Sequence, residues 1–186
     1  MNVMLRLRGF TLIELMIALA IFIFLIMLAG PMYAQFMANS QIRNAAEAIL
    51  NGVQKTQATA VHGNTLARLL LDPTTGTGGW KVLQTIDGTE SPTPVQVYVL
   101  QDGAPKTNVN TLPGDARQIT FDGFGRIVPN VDASGTLTCI KVTHLSGTRN
   151  LNVAISSSGI AANKGIKLCD PSVVATEPQA CPAGCG

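Results

Sequence analysis

The segment from Phe10 to Ala29 is an apolar run interrupted by only two polar residues, Thr11 and Glu14. A helix of this length spans roughly 30 Å, which is the thickness of the hydrocarbon core of a bilayer. Arg6 and Arg8 precede the run, and basic residues at this position keep the N-terminus in the cytoplasm. A removable secretory signal has an apolar core of about 7–15 residues and a small-x-small cleavage site after it. This run is longer and continues as AGPMYAQFM, so it predicts a retained membrane anchor.

Glu14 is the unusual residue of this anchor, because a carboxylate inside an apolar helix is costly in a membrane. In one interpretation Glu14 lies near the helix end and its side chain reaches the lipid headgroups. In the other, Glu14 pairs with a positive group on a neighbouring copy. A new amino terminus created by cleavage after Gly9 would supply that positive group. The spacing alone favours neither interpretation.

The motif RGFTLIELMIALAI closely resembles the type IV prepilin signature, in which a short basic leader ends in Gly and Glu follows Phe by four residues. The resemblance implies that prepilin peptidase cleaves between Gly9 and Phe10 and that Phe10 is N-methylated. It also implies that Glu14 pairs with the N-terminus of a neighbouring subunit during assembly. Pro31 matches the helix-bending proline of many pilins, and proline lacks the backbone N–H that a helix interior uses.

Beyond Pro31, apolar residues recur at helical spacing and predict a helix that packs on a sheet and ends near His62, with Gly63-Asn64 as its stop. Strand patterns follow in LARLLLD, WKVLQTI, VQVYVLQ, RQITFDG, GRIVPNV, TLTCIKVTH and NLNVAISSS. Residues 102–115 are predicted to be a loop, because they are rich in Gly, Pro, Asn and Asp. The predicted fold class is α+β, with one long N-terminal helix packed on an antiparallel sheet.

The order of segments over nearly the whole chain resembles the GspH/FimT group of minor pilins and pseudopilins. The segments that carry the resemblance are AAEAILNGVQKTQATAVHGNTLARLLL, GGWKV, ITFDGFGRIVPN, LTCIKV and NLNVAISSSG, and the ending KLCDPSVVATEPQAC is similar to FimT/FimU-like proteins. The implied organisation has five parts. They are a leader (1–9), a transmembrane or fibre-core helix (10–30), an amphipathic helix (31–63), a β-rich head (64–170) and a disulfide-tied tail (171–186).

The cysteines all lie in the last third of the chain, at Cys139, Cys169, Cys181 and Cys185. An even number behind an export-type N-terminus predicts two disulfides, for which three pairings exist. Cys139–Cys169 is favoured as the closure of a large loop, with Cys181–Cys185 clamping the tail. A zinc site is the rival interpretation, but CPAGC has the wrong spacing and His144 is no obvious fourth ligand.

No enzymatic motif is present: HExxH, GxSxG and a P-loop are all missing from the sequence. Gly123-Phe124-Gly125 lacks the third glycine of a dinucleotide fingerprint and is predicted to be a turn, with Asp122 as a turn residue. No catalytic residue, cofactor or metal is therefore expected. The formal charge is +2, and a product beginning at Phe10 is neutral, so the overall charge indicates no particular partner.

A binding role has local support, because residues 133–169 contain no acidic side chain. The basic residues of this stretch are Lys141, Arg149, Lys164 and Lys167. They are candidate contacts to the phosphates of double-stranded DNA, although four lysines and arginines also suit an ordinary solvated face. Pilins of the FimT type that bind DNA share a Gly-Arg-x-Arg stretch before a C-terminal cysteine. Here only Lys167 stands at the second arginine position, and Gly165 occupies the first.

The sequence therefore predicts a non-enzymatic minor pilin that spans the inner membrane once and carries its head in the periplasm. The expected partners are other major and minor pilins, prepilin peptidase, the inner-membrane pilus assembly machinery and, through the basic region, DNA taken up in natural transformation. The alternative is a minor pseudopilin of a type II secretion system.

Overall fold

A single long helix opens the described part of the chain. The structure is a computed structural model that describes residues 9–72, 79–156 and 165–186. Helix α1 (Leu12–Gly63) has 52 residues and runs without interruption past Pro31. It ends where predicted, because Asn64 adopts a left-handed conformation (φ 48°) and its N–H bonds to the carbonyl oxygens of Ala60 and Val61.

The two halves of α1 have opposite environments. Every large apolar side chain from Leu12 to Met37 is exposed, and the first buried residue of the helix is Ala38. Above it, buried residues recur at three- and four-residue steps and form one face of the helix. They are Ile42, Ala45, Ala46, Ile49, Gly52, Val53, Thr56 and Ala60. Among the described residues the lower half therefore has no packing partner, and the upper half anchors the head.

Ten strands follow α1 within the described residues, and all of their pairings are antiparallel. In chain order they are β1 (Ala67–Asp72), β2 (Gly79–Ile86), β3 (Thr89–Glu90), β4 (Gln96–Tyr98), β5 (Thr107–Leu112), β6 (Gln118–Phe121), β7 (Ile127–Val128), β8 (Cys139–His144), β9 (Leu151–Ile155) and β10 (Ile166–Cys169). One sheet has the order β3-β2-β1-β6-β7 with β4 also on β2, and the other has the order β10-β9-β8-β5. The predicted α+β class is confirmed.

Both sheets bury one face against α1. Leu69 and Val82 from the first sheet and Ile140 and Val153 from the second belong to one core cluster with the helix. Trp80 is buried directly over Gly52, where a Cβ atom would come within 2.7 Å of the indole ring. Glycine at this helical position therefore permits the close approach of helix and sheet.

The prediction of a loop over residues 102–115 is wrong. Residues Thr107–Leu112 form β5 and pair along their whole length with β8. β5 lies at the edge of the second sheet, where side chains are less covered, and its sequence TNVNTL accordingly has few apolar residues. Buried and exposed side chains alternate only weakly along it. Pairing with the strongly apolar β8 decides the conformation, since strand propensity depends more on neighbours than on the strand itself.

Candidate assembly segment and basic C-terminal face

The start of α1 is fixed by a capping interaction between two residues of the N-terminal motif. Thr11 is the N-cap in an extended conformation, and its Oγ1 accepts a hydrogen bond from the backbone N–H of Glu14 at 3.3 Å. Thr-x-x-Glu is the pattern of a capping box. Gly9 and Phe10 lie before the helix and are exposed, so the bond between them is sterically open.

Glu14 therefore lies in the first turn of α1 and not in the middle of the apolar segment. Its position suits the partial positive charge of the helix N-terminus. Within residues 9–72, 79–156 and 165–186 the carboxylate of Glu14 takes part in no ion pair. The role in assembly that the sequence predicts for Glu14 remains a prediction, and the same holds for cleavage at Gly9 and for a bend at Pro31.

The segment between Glu14 and Met37 is suited to an apolar environment on all sides. Its most apolar 18-residue window has a mean hydropathy of 2.9, and none of its residues is buried by the described part of the chain. The helix from Leu12 to Met37 is about 39 Å long, at about 1.5 Å per residue. This segment is long enough to cross a bilayer, and its exposed side chains require lipid or other helices around them.

The disulfide pairing differs from the favoured prediction. Cys139 is bonded to Cys185, and Cys169 is bonded to Cys181. The register of the second sheet explains the difference, because Cys139 lies opposite Ala154 on β9, while Cys169 on β10 lies opposite Asn152. Cys139 and Cys169 are thus two strands apart, roughly 10 Å in the hydrogen-bonding direction, which exceeds the reach of a disulfide.

In the structure the C-terminal tail begins at Asp170, directly after β10 and one residue before the predicted boundary. It supplies the missing partners by crossing the outer face of this sheet. Cys139, Ala154, Cys169 and Cys185 form a small buried cluster of their own, away from the main core. Asn152, which is also buried, donates a hydrogen bond from Nδ2 to the carbonyl oxygen of Cys185. The tail is therefore held by two covalent bonds and by polar contacts, of which this is one, and it contributes no large buried apolar side chain.

Zinc has no free thiolate to bind at this cluster. The Sγ atoms of Cys169, Cys181 and Cys185 lie within 4.8 Å of one another, a spacing that could hold a metal ion. All three are consumed in disulfides, and zinc requires deprotonated thiols. The prediction of two disulfides is confirmed, with the exchanged pairing described above.

Three of the four candidate DNA contacts interact with the tail. Nζ of Lys141 donates to the Gly186 backbone oxygen at 3.1 Å, and Nζ of Lys167 donates to the Ala180 carbonyl oxygen at 2.9 Å. Arg149 forms an ion pair with Asp170 at 3.0 Å, and its side chain remains 63% exposed. Lys164 lies outside the described residues. The structure thus brings Lys141 and Lys167 to one face of one sheet, beside the tail.

Asp170 is the residue of this region that the sequence did not single out. It is buried, and its Oδ1 accepts hydrogen bonds from the hydroxyl and the backbone N–H of Ser172. The Ser172 hydroxyl, the Ser172 N–H and the Arg149 guanidinium together hold the pKa of Asp170 below its usual value, although burial opposes them. The only available signal was the Asp-x-Ser spacing that is typical of a turn.

The turn prediction for residues 122–125 is confirmed. Oδ1 of Asp122 accepts hydrogen bonds from the backbone N–H groups of Phe124 and Arg126, and Gly125 has a positive φ of 74°. Partial burial favours the protonated form of Asp122, but the hydrogen bonds and charge of Arg126 outweigh it and lower the pKa of the carboxyl. These interactions organise the hairpin connection between β6 and β7.

Comparisons with known proteins agree with this architecture. Residues 45–159 match the family of the type II transport protein GspH, and residues 4–30 match the prokaryotic N-terminal methylation motif. No curated protein is significantly similar in sequence.

Solved structures of two minor pilin-type proteins are similar in fold. The minor pilin FimU of Pseudomonas aeruginosa is 17% identical with a TM-score of 0.52, covering 74% of this chain and 97% of FimU. The minor pseudopilin EpsH of the Vibrio cholerae type 2 secretion system is 13% identical with a TM-score of 0.49, covering 73% of this chain and 99% of EpsH. At 17% identity the likeness to FimU concerns the fold alone.

Proposed function

We propose that this chain is a minor subunit of a type IV pilus. The chain belongs to the GspH family of type IV minor pilins and pseudopilins. In this function the chain is inserted once in the inner membrane with its head in the periplasm. Prepilin peptidase removes residues 1–9 and Phe10 is N-methylated. The subunit then joins other pilins in the fibre or at its tip.

The observation that carries this proposal is the division of α1 at Met37. The lower half is apolar and exposed on every side, while the upper half is covered by the head. A helix of this kind can pass from lipid into a bundle of like helices with little change in free energy, because both surroundings are apolar. Such an exchange allows a fibre to be assembled and withdrawn without unfolding the head.

The pilus is favoured over a type II secretion system by the ending of the chain, which is similar to FimT/FimU-like proteins. Deletion of the gene in its native host separates the two systems. We expect loss of surface pili and of twitching motility, with normal release of exoproteins. Blocked exoprotein release with intact twitching would assign the chain to a secretion system instead.

DNA binding by the basic face is the second candidate function. It is supported by the placement of Lys141 and Lys167 on the same outer face of the second sheet, with the exposed side chain of Arg149 nearby. Such a face would contact phosphates without reading sequence, and its affinity would fall steeply with salt. Retardation of duplex DNA by the detergent-solubilised chain tests it, with Lys141→Gln/Lys167→Gln as the variant and Lys55→Gln/Lys81→Gln as the charge-matched control. No retardation at low salt, or equal loss in both variants, would exclude this role.

A further inference from the structure

The lower end of the head carries an exposed apolar and basic surface whose use is not explained by the fold. It is centred on the turn between β8 and β9, and its most exposed residue is Leu145, at 93%. We propose that this surface docks on the phospholipid headgroups of the bilayer that α1 spans. The proposal rests on the membrane-anchored state proposed above and adds a second membrane contact to it.

The β8–β9 turn is held at the membrane-proximal end of the head by α1 itself. Nδ2 of Asn39 donates to Oγ1 of Thr148, and the backbone N–H of Thr148 donates back to Oδ1 of Asn39, each at 3.1 Å. Gly147 of the same turn lies against the side chain of Ile42. The turn is therefore at the level of the first buried residues of α1.

This level is close to the membrane surface. If Glu14 lies among the cytoplasmic headgroups, a hydrocarbon core of about 20 residues begins near Leu15 and ends near Ala34, and the headgroup layer extends for a further 5–8 Å or so. Asn39 lies about 8 Å above Ala34 along the helix. The side chains of a helix lean toward its N-terminus, and a turn pinned at Asn39 can therefore reach the headgroup layer.

Basic side chains surround the turn on both sides. Thr107 pairs with His144, and this register places Lys106 beside the turn. Lys106, His144 and Leu145 line a groove of about 880 Å³. A second groove of about 740 Å³ is lined by Phe36, Arg43 and Arg149. Apolar residues flanked by lysine and arginine are the pattern of a surface that lies on anionic lipid.

Continuity with the anchor favours lipid over a protein partner as the occupant. Phe36 belongs both to the exposed apolar segment of α1 and to the lining of the second groove. The surface thus begins where the membrane-spanning segment ends. Leu145 is so exposed that it gives up little packing on transfer to lipid. Arg43 and Arg149 are ion-paired with Glu47 and Asp170, so among the described residues that line the two grooves Lys106 supplies the unpaired positive charge.

Tryptophan quenching in the full chain tests this docking. Leu145→Trp, Phe124→Trp and Phe22→Trp variants are reconstituted in nanodiscs that contain brominated phosphatidylcholine, with or without phosphatidylglycerol. Phe124 is the matched control: it is 80% exposed, and the neighbouring Gly125 carbonyl is bonded to Gln57, about 27 Å above Asn39 along α1. The constant emission of buried Trp80 is subtracted with the unsubstituted chain.

We expect bromine to reduce the emission of Leu145→Trp and Phe22→Trp and to leave Phe124→Trp unchanged. Phosphatidylglycerol should increase the loss of emission of Leu145→Trp. Adding Lys106→Gln to this variant should remove the effect of phosphatidylglycerol, whereas adding Lys55→Gln should leave it unchanged.

Quenching of Phe22→Trp without quenching of Leu145→Trp would overturn the docking and leave the membrane anchor in place. An unquenched Phe22→Trp would overturn the anchored state itself. A blue shift of Leu145→Trp without quenching would place a protein on this surface and also overturn the docking.

Discussion

Asn39 on α1 and Thr148 in the β8–β9 turn hold each other by two hydrogen bonds of 3.1 Å. The two residues are 109 positions apart in the sequence. Their contact joins the second sheet to the helix at the point where the exposed apolar half of α1 ends. The amide side chain of Asn39 therefore adds a polar contact, at the lower end of the head, to the apolar packing that holds the head on α1.

Replacing Asn39 with alanine removes both hydrogen bonds and leaves the backbone N–H of Thr148 to water. We expect the free energy of unfolding to fall by about 1–2 kcal/mol, since each bond contributes about 0.5–1.5 kcal/mol. Thr148→Val removes only the bond to the hydroxyl and should cost about half as much. Denaturant unfolding of the full chain in detergent micelles measures both, and equal losses would show that the backbone bond contributes nothing.

The disulfides offer a test of the tail. Peptide mapping without reduction should recover Cys139 joined to Cys185 and Cys169 joined to Cys181. Recovery of a Cys139–Cys169 peptide would contradict the register described here.

The loops that the two disulfides close have different lengths, with sequence separations of 46 and 12. Loop-closure entropy grows with length, so the Cys139→Ser/Cys185→Ser variant should lose about 1 kcal/mol more stability than Cys169→Ser/Cys181→Ser. Thermal unfolding of the two double variants in the same detergent gives the comparison. A larger loss for the shorter loop would show that the contacts of Cys169 and Cys181 outweigh chain entropy.

The fold was predictable from the sequence because its main determinants are local patterns. The apolar run up to Ala29, the helical spacing of Ile42, Ile49 and Val53, and the Gly63-Asn64 stop lie within single segments of the chain. Each pattern buries or exposes one face of an element, and the structure places those faces as the patterns indicate. The strands with clear alternation, such as β8 and β9, were recognised for the same reason.

The features that the sequence did not predict depend on register between distant segments. Nothing local reveals that Cys139 lies opposite Ala154, and the favoured disulfide pairing failed for that reason. The sequence did not predict the polar strand β5, because pairing with β8 stabilises this strand and its own composition does not. The contacts of Lys141 and Lys167 with the tail were equally hidden, since they depend on the path that the disulfides impose.

The buried carboxylate of Asp170 should make stability depend on acid pH. Its pKa is lowered in the folded protein by the hydroxyl and N–H of Ser172 and by Arg149. The stabilisation is therefore complete above the unfolded-state pKa, near 3.9, and is lost as the pH falls through the lower folded-state value. The unfolding free energies of the unsubstituted chain and of Asp170→Asn are measured between about pH 6 and pH 2. The difference between them separates the contribution of Asp170 from those of Asp122 and Asp132, whose pKa values are also lowered. The difference between the two proteins should shrink toward low pH, and a constant difference would show that the charge of Asp170 is immaterial.

Glu14 provides the sharpest test of how the anchor is used. Glu14→Val removes the carboxylate but keeps Thr11 as the N-cap, since Thr11 bonds to the backbone N–H of residue 14 and not to its side chain. The helix should still form, and insertion in the membrane should be unchanged or improved, because the only acidic group of the apolar segment is gone. Incorporation into fibres should fall severely if the carboxylate pairs with a neighbouring N-terminus.

Immunoblots of the membrane fraction and of the sheared-pilus fraction, taken from a complemented deletion strain, measure insertion and incorporation. Glu14→Asp is the matched control, since it keeps the charge on a shorter side chain and should retain part of the incorporation. Normal incorporation of Glu14→Val would contradict pairing with a neighbouring N-terminus and would favour the interpretation in which the Glu14 side chain only reaches the lipid headgroups.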